Sequence, residues 1–324
     1  MADLIITNGD TAAELLLLAG REATMLPWRD VLHEGPILGG PLTDVSRARI
    51  AYLADRFRAD PAEVAHDFAE RDALIQAHGE FDRVELWFEH DLYDQLQLVQ
   101  VLAFFASEAP RDGLVLVQAD DFLGSQTADT ILSFADKARP ISAADLDLAA
   151  AVWADLTVPT PAPVAARLNR PDGSLRFLRA ALKRFLEELP APGSGLGRTE
   201  DTLLAAIGEG IATPAKLFHR MIATEEAAFM GDWSFFRLID DLASCEVPLI
   251  AGLPTPEGAF DGDRFRDAEL RLTAAGENVL AGTADHVTLN GLDRWWAGTR
   301  LTGRSVWRFD REAARLVPPA ISGA

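Results

Sequence analysis

Several protein classes depend on residues that this chain has little of. Its 324 residues include one cysteine, Cys245, so no disulfide can form within it, which agrees with a reducing compartment. In the helical context Leu242-Ala243-Ser244-Cys245 a lone thiol reads as buried filler rather than a nucleophile. Positive charge is scarce: 30 lysines and arginines face 50 aspartates and glutamates, for a formal net charge of -20. Such a field repels polyanions, whereas nonspecific nucleic-acid binding needs a cationic surface that displaces counterions. That class is disfavoured, and the best candidate for a local basic patch is the stretch from Arg294 to Arg315. No apolar run makes an extended membrane segment. Met1-Ala2-Asp3 leads directly into a strand without a positive n-region or a small-residue cleavage site, so the expected location is the cytoplasm. A Walker A loop, a GxGxxG turn after the first strand and a GxSxG elbow are all missing, which lowers the odds of the classes built on them.

What is present is a chain that is 48% apolar, enough to bury a core, and long enough to suggest two domains. Residues 1–140 alternate strand and helix signals: Leu4-Ile5-Ile6, a helix from Ala12 to Ala19, Ala23 to Leu26, helices from Ser46 to Phe57 and Pro61 to His78, Val84 to Phe88, a helix from Leu92 to Ala106, and Leu114 to Val117. That alternation predicts right-handed crossovers and an α/β fold with a mostly parallel, Rossmann-like sheet. Residues 141–190 turn helical and form an extension packed on it, with Leu175, Leu178, Leu182, Phe185, Leu186 and Leu189 at helical spacing. The Pro- and Gly-rich segment from Leu189 to Gly195 reads as a linker. Residues 196–324 are expected to form a smaller winged-helix-like α+β domain of three helices followed by short strands.

Three polar motifs follow strand-like runs, and in an open parallel sheet they would gather at the carboxyl edge, where ligands bind. In the first, Thr7-Asn8-Gly9-Asp10, the Thr11 and Glu14 pair fits a capping box and leaves Asp10 free, while Gly9 permits close approach of a ligand. The alternative is that Asp10 serves the positive helix end or holds the Asn8-Gly9 turn. The second motif, Trp28-Arg29-Asp30 with His33-Glu34-Gly35-Pro36, offers Arg29 as an anion clamp and His33 as base or ligand. Its alternative is an Arg29–Asp30 ion pair with Trp28 as an apolar anchor. In the third, Glu89-His90-Asp91 precedes a helix that begins with Leu92, Tyr93, Asp94 and Gln95; Asp91 suits the N-cap, which leaves Glu89 and His90 unaccounted for. The tryptophans Trp295, Trp296 and Trp307 either roof the cleft or plug the two domains together, the plug being favoured.

With these residues the chain resembles a family of uncharacterised bacterial proteins, domain of unknown function 1835. The resemblance rests on Thr7 to Asp10, Pro27 to Pro36 and Trp87 to Leu96, and continues into Met230-Gly231-Asp232 and Asn290 to Gly298. It implies no particular activity. Gly195 to Glu200 is also similar to the opening of the helix-turn-helix of transcription regulators, but the acidic Glu225-Glu226 departs from what a DNA-reading helix requires.

The reading that follows is an enzyme acting on a small polar or phosphorylated molecule, with Asp10, Asp30, His33, Glu89 and His90 as the catalytic set and Asn8, Gly9, Trp28, Arg29, Asp94 and Gln95 as substrate-binding residues. A divalent metal is a possible cofactor, held by Asp10, His33 and His90. A ligand-sensing regulatory or adaptor protein that binds DNA or protein through the second domain is the alternative. A protein partner or homo-oligomer stays open.

Overall fold

The computed structural model describes residues 2–170, 173–254, 263–266 and 268–320. Its first half is a five-stranded sheet built from β1 (Asp3–Thr7), β2 (Thr24–Pro27), β3 (Arg83–Phe88), β4 (Leu114–Gln118) and the two-residue β5 (Arg139–Pro140), in the order β2-β1-β3-β4-β5. β1 to β4 are parallel and β5 is antiparallel. The strands alternate as period-two sequences must when both faces are covered. Leu4, Ile6, Val84, Leu86, Phe88, Leu114 and Leu116 enter the larger core, while Ile5, Trp87 and Val117 enter a smaller one on the other face.

The small face is closed by α1 (Asp10–Leu18), which contributes Ala12 and Leu16, and by α5 (Ala128–Ile131). The large face carries α2 (Leu42–Phe57), α3 (Pro61–Gln76), α4 (Leu92–Ser107), α6 (Ala143–Leu156), α7 (Ala162–Arg167) and α8 (Leu178–Leu186). α4, rich in apolar residues, is mostly buried and packs against α6 and α8. Among the described residues no helix is long and apolar enough to cross a membrane.

A second core is built from α9 (Arg198–Gly208), α10 (Pro214–Thr224) and α11 (Asp232–Ser244), the short antiparallel pair β6 (Ile250–Ala251) and β7 (Arg271–Leu272), α12 (Asp263–Arg266) and α13 (Ala274–Leu280). The chain then passes through α14 (His286–Asn290) into two antiparallel hairpins, β8 (Leu292–Trp296) with β9 (Thr299–Gly303) and β10 (Arg308–Asp310) with β11 (Arg315–Val317).

Val279 is the last fully buried residue of the second core, on which Ala284 and Leu289 also pack, whereas Val287, Trp296, Ala297, Leu301, Val306 and Phe309 belong to the large core of the first half. The boundary drawn at residue 196 therefore does not separate the cores. Trp296 donates its indole N–H to the Phe185 carbonyl at 2.8 Å and stacks on the Phe185 ring at 4.4 Å, a plug rather than a roof. The expected linker is part of the same junction: Leu189 is buried, Phe309 donates its N–H to the Pro190 carbonyl, and His286 donates to that of Ser194.

Candidate functional site

The strand order runs outward in opposite directions from β1 and β3, so the loops that leave these two strands diverge and open a crevice at their carboxyl ends. Asn8 leaves β1 there and Glu89 leaves β3. Glu89, Asp91 and Asp94 converge at this point, one oxygen from each lying within 4.8 Å of the others. All three are buried, at 5%, 3% and 1% exposure. Asp91 caps α4 by accepting the Asp94 N–H at 3.2 Å. Asp94, one turn into the helix, accepts the Glu89 N–H at 2.6 Å and the Asn8 side-chain amide at 2.9 Å. Glu89 accepts the Leu123 N–H at 2.7 Å. The Gln95 amide donates to the Glu89 carbonyl at 2.6 Å and pins the turn.

Among the described residues no lysine or arginine is ion-paired with any of the three, in contrast to other buried carboxylates such as Asp30 with Arg49 or Glu200 with Arg294. Burial and the neighbouring Glu89 push the Asp91 carboxyl up to about 8. Burial, then Asp91 and Glu89, raise Asp94 well above the usual carboxylate range, and burial raises Glu89. Three anions cannot share a low-dielectric site this small without protons or a cation.

The other expected site residues lie elsewhere. Asp10, His33 and His90 do not assemble as metal ligands: among the described residues Glu89, Asp91 and Asp94 are the one such group. Asp10 opens α1 itself, behind a Gly9 N-cap that has no side-chain cap, so Thr11 does not take that role. It is exposed and receives the Arg29 Nε at 2.9 Å, which makes Arg29 the partner of Asp10 and not of Asp30. Asp30 has no exposed surface; Arg49 donates to it at 2.9 Å and Arg71 lies at 3.6 Å. The same Arg49 guanidinium holds the carbonyls of Val31, Glu34 and Pro36. The catalytic reading of Asp30 gives way to a structural one, since a carboxylate sealed between two guanidinium groups reaches no substrate. Trp28 is likewise fully buried, its indole N–H bonded to Gln100 at 2.7 Å.

His90 packs on Phe122 and Phe177 at 5.0 and 5.8 Å, and opens with Asp91 on a cavity of about 250 Å³. Burial lowers its pKa against the opposing pull of Asp121 and Asp120. His33 sits against Tyr93 and Phe229, and burial takes its pKa down to about 4. Glu34 holds Arg56 at 3.0 Å and accepts from Ser234 of α11, which ties the second motif to the second core.

Sequence reading placed Asp94 among the binding residues and Asp91 in the cap, without seeing that they join Glu89. The signal was there in part, because N-cap and third helical positions lie on one side of the first turn. The stretch from Arg294 to Arg315 forms no basic patch: Arg294, Arg300, Arg308 and Arg311 each pair with a carboxylate. Burial raises the Cys245 thiol above its ordinary pKa, which fits the filler role. A scan against protein-family models finds no match to the chain, and a search of curated proteins finds none either.

Proposed function

We propose that the chain is a cytoplasmic enzyme of hydrolase or transferase type that acts on a small polar or phosphorylated molecule at the carboxyl edge of the sheet, by acid/base or metal-assisted chemistry. The observation that carries this reading is the group of three buried carboxylates, Glu89, Asp91 and Asp94, at the strand-order crossover, with no cationic partner among the described residues.

Two states relieve their repulsion, and each has a chemistry. With protons, Asp91 is a carboxylic acid near neutral pH, matched to donate to a leaving group. With a cation, the all-oxygen donor set suits a hard divalent ion such as Mg²⁺ or Mn²⁺, which supplies charge neutralisation and polarises a substrate oxygen. A phosphorylated substrate requires the second state, since bare carboxylates repel phosphate; an uncharged polar substrate suits the first. Asn8 and the Glu89 N–H orient Asp94 in either case, and the Leu123 N–H orients Glu89.

The likeness of the motifs to domain of unknown function 1835, and a winged-helix-like form for the second core, belong to the same proposal. Against DNA binding by that region, residues 198–245 hold four lysines and arginines and eight aspartates and glutamates.

The test is a thermal-shift titration with Mg²⁺ and Mn²⁺, joined to a turnover screen over phosphate esters and uncharged esters and amides. Loss of turnover in a folded Glu89→Gln variant is the expected result. If no compound is turned over with or without metal, or if Glu89→Gln keeps full turnover, the reading fails.

A further inference from the structure

A second site lies beside the carboxylates and does not depend on them. His33 is only 9% exposed, and neither of its ring nitrogens has a hydrogen-bond partner among the described residues. Leaving such atoms dry and unpaired costs about 1–3 kcal/mol each, so a histidine in this position favours a polar partner, water or a ligand, in the cavity it borders. It borders a cavity of about 510 Å³ whose other walls include the rings of Phe57, Tyr93, Phe229 and Trp233. That is the size range of small-molecule sites. The sheet edge supplies Tyr93 and His33, and the first turn of α11 supplies Trp233 and Ser234.

His33 and Ser234 also line a neighbouring cavity of about 660 Å³ between the two cores. Its lining has seven carboxylates against four arginines, and the arginines are engaged: Arg56 with Glu34 and Asp241, Arg237 with Asp240, Arg294 with Glu200, Arg300 with Asp293. Burial lowers the pKa of both histidines there, His33 and His286. The potential beyond the aromatic walls is therefore negative.

We infer that the aromatic cavity at His33 binds an organic ammonium ion that carries an aromatic ring. The rings of Tyr93 and Trp233 offer negative π-faces to the cation, Phe229, whose ring already carries the Arg184 guanidinium at 4.9 Å, adds apolar surface for the ligand's ring, the acidic cavity excludes carboxylates and phosphates of the same shape, and His33 presents one acceptor and one donor nitrogen. The assignment differs in chemistry from the phosphorylated class considered above and stands without turnover or metal.

The test uses two probes that share one ring and differ in charge, tryptamine and indole-3-acetate, titrated calorimetrically into the full chain in EDTA. Tryptamine is expected to bind at least about tenfold more tightly than indole-3-acetate, the discrimination a desolvated cation–π contact gives. Trp233→Ala, on a side chain 48% exposed and checked for folding by its thermal unfolding, is expected to weaken tryptamine about tenfold. His33→Phe keeps a ring, removes both nitrogens and is expected to weaken tryptamine with no loss of thermal stability. Glu89→Gln leaves the affinity unchanged. Failure of tryptamine to bind, equal binding of indole-3-acetate, or wild-type affinity in both Trp233→Ala and His33→Phe would overturn the assignment.

Discussion

A single aspartate illustrates how much residue context decides. Asp30 sits in a loop of polar residues and looks chemically available, yet it is enclosed by Arg49 from α2 and Arg71 from α3. Removing one member of a buried pair leaves the other charge uncompensated, so Asp30→Asn is expected to cost about 3–5 kcal/mol in urea unfolding at pH 7. A loss below about 1 kcal/mol would show that water reaches the site. His33 behaves in the opposite sense. Its folded pKa, near 4, lies below the 6.5 of the free side chain, so the unfolded chain binds the extra proton first. The linked penalty is absent above pH 6.5 and grows as pH falls towards 4, on the order of 3 kcal/mol in full. His33→Phe should flatten the acid limb of the stability curve over that interval, which chemical unfolding at successive pH values measures.

The first turn of α4 is the element on which the proposed chemistry rests, because one short stretch both caps the helix and gathers the anions. Asp91 titrates near 8 in the folded chain and near 4 when unfolded. Its folded pKa is raised, so the stability linked to it is complete below about pH 4 and declines as pH rises through 8. Asparagine caps as well as aspartate does. Asp91→Asn is therefore expected to match the wild type at pH 5 and exceed it at pH 8, unless Mg²⁺ or Mn²⁺ is added, when the wild type gains and the variant does not. The β8–β9 hairpin is a second element with a sharp requirement. A Cβ on Gly298 would meet the backbone of Thr157 and Val158 at 2.5–2.7 Å, where its N–H now reaches the Leu156 carbonyl at 2.7 Å. Gly298→Ala should lower stability by about 1–3 kcal/mol, read as a fall in Tm.

At the scale of the whole molecule the chain folds back on itself. The last hairpins return Trp296, Leu301 and Phe309 to the core of the first half. A chain cut at residue 195 is expected to lack a cooperative unfolding transition, despite holding the entire sheet, because its large core loses that cover. A sharp transition in calorimetry would show instead that the sheet region is autonomous. The strands, the long helices and the parallel order of residues 1–140 were legible because each is written in local periodicity: Leu4, Ile6 and Leu86 alternate with Ile5 and Trp87 across the sheet. The segment after residue 280 was not legible, since its apolar residues carry no label for the core they join.

The sequence alone determined the elements of the sheet, the meeting of the first and third motifs at its carboxyl edge, and the electrostatic case against polyanions, all of which depend on composition or on residues near one another in the chain. Tertiary structure decided which polar residues are spent on ion pairs and which the proposed chemistry can draw on. Asp10 and Arg29 pair at the surface, Asp30 is sealed by arginines 19 and 41 residues away, and Glu89, Asp91 and Asp94 have no ion-paired lysine or arginine among the described residues. The physical reason is that an ionisable group takes its role from burial and from the charges packed against it, and those neighbours arrive from helices that local pattern cannot place.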